Sequence, residues 1–154
     1  MNRDLPKFVK PSVIYTKLTD AERDAILAET RAGRPAGEPM WVFGFGSLMW
    51  SPCFEHDVAA PATLCGYDRK FHIWTAVARG TPDNPGLGLC LEESTTDCRG
   101  MAFRLREEAV EDAWVKLWLR EMTSGIYQPS WVSIETDTHG RVPALTFVAN
   151  RKHP

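Results

Sequence analysis

The chain has 154 residues, of which 44% are hydrophobic and 25% charged, and its formal net charge is −2. This size and composition favour a globular domain with a substantial core. The balanced charge argues against a nucleic-acid partner, and no apolar run approaches the roughly 20 residues of a membrane span. The N-terminus also lacks the apolar centre of a signal peptide, so we expect a cytoplasmic protein that does not bind membranes.

The cysteines and histidines show no metal-ligand spacing. There is no C-x-x-C pair, and no two histidines lie at positions i and i+4. We therefore expect free thiols in a reducing compartment and no zinc site. The residues concerned are Cys53, Cys65, Cys90, Cys98, His56, His72, His139 and His153.

Residues 1–40 are predicted to form an N-terminal extension with one short helix, ahead of a main domain at residues 41–154. After an extended, proline-containing start, Thr19 can cap this helix, and Glu22 three residues later completes a capping box. The glycine- and proline-rich stretch Gly33–Pro39 is predicted to be the loop between the two parts.

Strand-like segments dominate the main domain. The second of them is one long strand or a pair bent around Gly66, and the stretches "STTD" and "THG" read as hairpin turns. Hairpins with one inserted helix predict an α+β fold, a mainly antiparallel small β-barrel or mixed sheet with a few helices. The segments are Trp41–Gly46, Ala62–Thr75, Gly86–Glu93, Cys98–Leu105, Trp131–Asp137 and Arg141–Asn150.

The inserted helix lies in "AVEDAWVKLWLREMTSGIY", residues Ala109–Tyr127. Apolar residues recur there at spacings of three and four, and the next position on their stripe is Glu121 in the last turn before Gly125. Burial and the negative helix end would both raise the pKa of this carboxyl group, as a general base near neutral pH requires. The alternative is a surface glutamate on a solvated edge beside Arg120. The stripe consists of Val110, Ala113, Trp114, Leu117 and Trp118.

A glycine loop, "FGFGSLMW", follows the first strand. Gly44 and Gly46 permit positive φ or close approach of the backbone to a ligand, and the amides of Ser47 and Leu48 can form a nest for an anion. The spacing excludes a G-x-S-x-G nucleophile elbow, a dinucleotide fingerprint and a Walker loop. The alternative is a tight turn that needs glycine for its geometry alone.

A second loop, "RGTPDNPGLG", begins with Arg79. Its guanidinium could hold a carboxylate of a peptide-like ligand. It could equally be an arginine of the surface, and the residues alone leave both readings open.

Five motifs, in order across about residues 41–150, resemble those of the ChaC-like gamma-glutamylcyclotransferases. Each matches a family pattern in type and position, and together they are far more specific than any one of them. The motifs are "FGSLMW", "CGYDRKFHIW", "RGTPDNPG", "CRGMAFRL" and "LREMTSGIY".

The resemblance implies an enzyme that cyclises the gamma-glutamyl group of glutathione to 5-oxoproline and releases cysteinylglycine. It implies a small-molecule substrate and no metal or organic cofactor. In this sequence Glu121 takes the position of the catalytic acid/base. The implied substrate-binding residues are Phe45, Gly46, Ser47, Leu48, Arg79 and Tyr127.

The sequence departs from the family pattern in two places. Phe45 stands where the family has tyrosine, and the C-terminal helical part of the family is absent after residue 150. We expect that absence to expose sheet surface, which favours a homodimer or instability. These departures leave open a non-catalytic module that binds gamma-glutamyl ligands or has a regulatory role. A cyclotransferase for other gamma-glutamyl amines or dipeptides is a further alternative.

Overall fold

The strand-like segments form a five-stranded closed β-barrel in the computed structural model, which describes residues 16–76 and 79–153. Around the barrel the order is β1-β3-β2-β4-β5, and every pairing is antiparallel except the short parallel contact of β1 with β5. The predicted α+β fold with a small, mainly antiparallel barrel is confirmed. The elements are α1 Asp20–Ala32, β1 Trp41–Gly44, β2 Val58–Thr75, β3 Gly86–Arg104, α2 Val110–Glu121, β4 Tyr127–Thr136 and β5 Gly140–Ala149.

Helix α1 begins where the capping box predicts. The amide of Glu22 donates to Thr19 Oγ1 over 3.2 Å, and the amide of Thr19 donates to the Glu22 carboxylate over 2.8 Å. The predicted extended segment ahead of this helix falls mainly on residues 1–15, which lie outside the described residues.

Two indole N–H groups attach α1 to the rest of the molecule. Trp118 Nε1 of α2 donates to the carbonyl oxygen of Arg23 over 3.1 Å, and Trp131 Nε1 of β4 donates to that of Thr30 over 2.8 Å. The predicted extension therefore packs on the main domain through directional bonds at both ends of α1.

The stretch "STTD" is a bulge inside one long strand, so its prediction as a hairpin turn is wrong. Three residues of β3, residues 94–96, lie opposite Gly66 alone, and Gly66 has a φ of +79° that favours glycine. Both predicted strands of this region pair with the same partner, β2, instead of with each other. The pairs that flank the bulge are Cys65–Asp97 and Tyr67–Glu93.

Helix α2 buries the predicted apolar stripe against one face of β5. Leu145 and Phe147 join the cluster under α2, whereas Ala144 and Val148 point into the barrel interior. All of residues 144–148 are consequently buried, and the expectation that the end of this sheet exposes apolar surface is wrong for β5. Among residues 16–76 and 79–153, neither helix has both the length and the apolar character to cross a bilayer.

Candidate active site

The glycine loop leaves the barrel at the end of β1 and turns at once into a short 3-10 segment, Ser47–Met49. A Cβ on Gly44 would lie 3.1 Å from Leu48 Cβ, and one on Gly46 would lie 3.3 Å from Leu89 Cδ2. Both glycines thus serve close approach, and neither has a positive φ. The first amides of a helical turn have no acceptor within it, so those of Ser47 and Leu48 suit an anionic ligand.

Glu121 is the last residue of α2, and its side chain is 15% exposed. Burial raises the pKa of this carboxyl group, while the positive charge of Arg120 acts in the opposite direction. The continued apolar stripe therefore describes the position of Glu121 better than a solvated edge does.

One guanidinium joins Glu121 to the glycine loop. Arg120 Nη2 donates to Ser47 Oγ over 2.8 Å, and Nη1 donates to the carbonyl oxygen of Ser51 over 2.6 Å. Its Nε lies 3.3 Å from Glu121 Oε1. The structure thus brings together Glu121 and the predicted substrate loop, which are more than 70 residues apart in the chain. Arg120 was not among the site residues predicted from the sequence, although the R-E pair of "LREMTSGIY" indicated it.

Tyr127 opens β4 and lies beside the same carboxylate. Its hydroxyl donates to the carbonyl oxygen of Leu89 over 2.6 Å. Burial raises the pKa of the Tyr127 hydroxyl to about 12, and the negative charges of Glu121 and Cys90 add to the effect. The ring therefore contributes to the dry surroundings of Glu121, while its hydroxyl is held by β3.

The barrel side of the loop is held by a second arginine that sequence reasoning did not select. Arg69 of β2 donates from Nη1 to the carbonyl oxygen of Phe45 over 2.8 Å and from Nη2 to that of Arg99 over 2.7 Å. Its place in the motif "GYDRKF" was the available signal. The ring of Phe45 packs against the apolar cluster inside the barrel, where a phenylalanine needs no hydroxyl.

Arg79 is the predicted site residue on the second loop. It is exposed, in the loop between β2 and β3, and its backbone packs closely against Gly86. Within the part of the chain that the structure describes, no polar contact joins its side chain to Glu121 or to the glycine loop. The loop that contains Arg79 joins β3 at Gly86, three residues before Leu89. Leu89, whose carbonyl oxygen accepts the Tyr127 hydroxyl, is therefore roughly 10 Å farther along the strand.

A cavity of about 940 Å³ lies away from Glu121, between the end of α1, the loop that follows it and residues 104–108, which precede α2. Three of its four lining arginines form ion pairs: Arg31 with Glu111, Arg34 with Glu107 and Arg104 with Asp57. We place the candidate site at the end of α2 that carries Glu121. There a largely buried carboxyl group is connected through Arg120 to the loop that carries the Ser47 and Leu48 amides. Over residues 16–76 and 79–153, no three His, Cys, Asp or Glu side chains form a group able to hold a metal ion.

Comparisons with known proteins find a family model and curated relatives that match most of the chain. A family model described as "ChaC-like protein" matches residues 40–154. The glutathione-specific gamma-glutamylcyclotransferase of Escherichia coli K12 is 41% identical over 133 residues, 86% of this chain and 57% of the relative. Gamma-glutamylcyclotransferase 2-3 of Arabidopsis thaliana is 38% identical over 111 residues, 71% of this chain and 55% of the relative. The chain thus spans little more than half the length of these curated relatives.

A solved structure shares the fold. The crystal structure of a gamma-glutamyl cyclotransferase specific to glutathione from yeast superimposes with a TM-score of 0.65 at 18% sequence identity. The superposition covers 73% of this chain and 69% of that one. At this identity the match shows that the two proteins share an architecture, which is the small barrel described above.

Proposed function

Because the chain belongs to the family of ChaC-like proteins, we propose that it is a gamma-glutamylcyclotransferase that acts on glutathione and releases 5-oxoproline and cysteinylglycine. The observation that carries the proposal is a largely buried carboxyl group, Glu121, connected through Arg120 to the amide-rich turn of the glycine loop. One element supplies a base and the other a cradle for anionic oxygen, which are the two needs of an intramolecular acyl transfer.

Glu121 acts in this reaction as a proton carrier. The α-amino group of the substrate is an ammonium near neutral pH and cannot attack until it loses a proton. The Glu121 carboxylate accepts that proton, the amine nitrogen bonds to the γ-carbonyl carbon, and a five-membered ring closes. When the tetrahedral intermediate collapses, the bond to the cysteinyl nitrogen breaks and Glu121 returns its proton to that nitrogen. The ring nitrogen gives up a second proton as the lactam forms, and the released amine takes it up and leaves as an ammonium. No electrons are exchanged and no metal or organic cofactor is required.

The loop residues bind the γ-glutamyl group. The amides of Ser47 and Leu48 donate to an anionic oxygen of the substrate, either the α-carboxylate or the oxyanion that forms during attack. Gly46 allows the loop to pack closely against Leu89, whose Cδ2 would lie 3.3 Å from a Cβ at this position. Holding the amine and the γ-carbonyl in contact supplies a further share of the acceleration, because attack within one molecule needs no encounter.

Three residues have supporting roles in the proposal. Tyr127 keeps water from Glu121, and Phe45 packs beneath the loop. Arg79, exposed on the neighbouring loop, is assigned to a substrate carboxylate on the strength of its charge and motif. The homodimer and the cytoplasmic location expected from the sequence stay predictions.

The test is the formation of 5-oxoproline from glutathione by the purified chain and by two matched variants. Glu121→Gln keeps the shape of the side chain but removes the base, and we expect a loss of at least about 100-fold in kcat. Glu111→Gln makes the same change on an exposed position of the same helix, where the carboxylate pairs with Arg31, and should leave kcat unchanged. Equal turnover by the two variants would show that Glu121 is not the base.

Other gamma-glutamyl amines and dipeptides are the second candidate substrates, because the structure shows the Glu121 end of the site and assigns no contact to the cysteinylglycine half. A panel of gamma-glutamyl dipeptides beside glutathione and a buffer blank separates them by kcat/KM. A chain that binds glutathione by calorimetry but forms no 5-oxoproline from any member would be a binding module instead.

A further inference from the structure

We propose that Arg120 is a positioning residue that fixes the glycine loop to the end of α2 and so sets the geometry between Glu121 and the loop amides. The inference rests on the proposed function for its kinetic consequences. Its structural content, a loop held by one guanidinium, stands on the contacts of the side chain and can be measured without turnover.

The planar guanidinium of Arg120 makes three contacts. Nη2 reaches Ser47 Oγ at the start of the 3-10 segment, and Nη1 reaches the carbonyl oxygen of Ser51 just beyond its end. Nε faces Glu121 on the adjacent position of the chain. A guanidinium presents these donors in a fixed plane, so its contacts define an orientation as well as a distance.

The loop depends on such a contact because the sheet stops supporting it. Pairing of β1 with β3 ends at Gly44, and Arg69 then holds the carbonyl oxygen of Phe45 from the barrel side. Beyond that point Leu48 packs into the cluster under α2, while Trp50 is 75% exposed. Arg120 therefore supports the outer half of the loop, the half that carries the amides assigned to the substrate.

Arg120 also contributes charge to the site. The groups that face Glu121 are Arg120 on α2, Tyr127 on β4 and Cys53 in the segment after the loop. Burial raises the pKa of both the Tyr127 hydroxyl and the Cys53 thiol, so both are neutral near pH 7 and Arg120 is the positive charge among the three. Its loss removes the interaction that opposes burial and should raise the pKa of Glu121 further.

Two substitutions separate position from charge. Arg120→Lys keeps the positive charge, but a single ammonium cannot reproduce the planar fork that reaches Ser47 and Ser51 together. Arg120→Met removes both properties while keeping a long side chain. Arg141→Gln is the control, because Arg141 is an exposed arginine on β5 whose partner is Glu135 and which has no contact with the loop.

The first measurement is amide hydrogen exchange of the peptide that covers residues 45–51, followed by mass spectrometry. We expect both Arg120 variants to exchange there at least tenfold faster than the unsubstituted chain, and Arg141→Gln to match it. Unchanged exchange in both Arg120 variants would overturn the proposal, whether or not the chain turns over glutathione. A thermal melt confirms that each variant is folded. If Arg120→Met does not fold, the exchange of Arg120→Lys alone decides the outcome.

The second measurement is the pH profile of kcat/KM with glutathione. Arg120→Lys should lose at least tenfold in kcat/KM and keep the acid limb of the unsubstituted chain, whereas Arg120→Met should lose more and show an acid limb at higher pH. Arg120 variants with kcat/KM within twofold of the unsubstituted chain would overturn the positioning role. Absence of 5-oxoproline from the unsubstituted chain would instead refute the proposed function and leave the exchange result to decide the role of Arg120.

Discussion

The hydroxyl of Tyr127 should make the free energy of unfolding fall as the pH rises above 10. In the folded chain its pKa is raised to about 12, chiefly by burial, and in an unfolded chain a tyrosine titrates near pH 10. Between these values the folded state keeps a proton that the unfolded state has lost, so stability decreases with pH. Two pH units at about 1.36 kcal/mol each give a loss of roughly 2 to 3 kcal/mol by pH 12.

Tyr127→Phe isolates this contribution. At pH 8 the variant loses the 2.6 Å hydrogen bond to the Leu89 carbonyl group, at a cost of about 1 to 3 kcal/mol. At pH 12 the difference between the two proteins should shrink by roughly 2 to 3 kcal/mol, because only the tyrosine protein has the hydroxyl to titrate. Cys90, whose pKa burial raises to about 11, is present in both proteins, and its direct contribution largely cancels in the difference.

The assay is urea unfolding of both proteins at pH 8, 10, 11 and 12 in the presence of a thiol reductant. Equal m-values in the two proteins would show that the denatured states are comparable. A difference in free energy that stays constant from pH 8 to pH 12 would refute the reasoning, since the hydroxyl would then titrate alike in both states.

Three further predictions concern the barrel and the site. Thr146→Val removes the buried hydroxyl that donates to the Phe43 carbonyl oxygen over 3.0 Å, and should cost about 1 to 3 kcal/mol in urea unfolding; no change would mean that this bond does not stabilise barrel closure. Gly100→Ala would place a Cβ 2.7 Å from the Phe43 ring and should cost about 1 to 3 kcal/mol, whereas Gly88→Ala, with its nearest neighbours at 3.5 Å, should cost less; equal costs would contradict the overpacking account. Burial raises the pKa of Glu121 above the ordinary glutamate value of about 4.3, so kcat/KM for glutathione should begin to fall at a pH above that value as the solution is acidified. An acid limb at the ordinary glutamate pKa would contradict a buried base.

The features that the sequence predicted correctly depend on short separations along the chain. Thr19 and Glu22 lie within one helical turn, so their types alone specify the start of α1. The low exposure of Glu121 was predicted by the helical period of the apolar residues in α2, because Glu121 occupies the next position on that stripe. The barrel class followed from the succession of strand-like runs, since hairpins with few helices permit few architectures.

The features that the sequence missed depend on partners far away in the chain. "STTD" has the composition of a turn, and only its position opposite Gly66 of β2 makes it a bulge. Arg69 and Arg120 reach acceptors 24 and 69 to 73 residues away, which no local pattern specifies.

The two hydrogen bonds from indole N–H groups to α1 affect how far the chain can be shortened without loss of stability. The family model starts at residue 40, yet the acceptors for Trp118 and Trp131 lie at Arg23 and Thr30. A fragment that begins at that boundary would leave two partly buried indole N–H groups without their acceptors. One of them belongs to Trp118, three residues before Glu121 on the same helix. A stable fragment should therefore include α1, which precedes residue 40 and packs against α2, the helix that ends in Glu121.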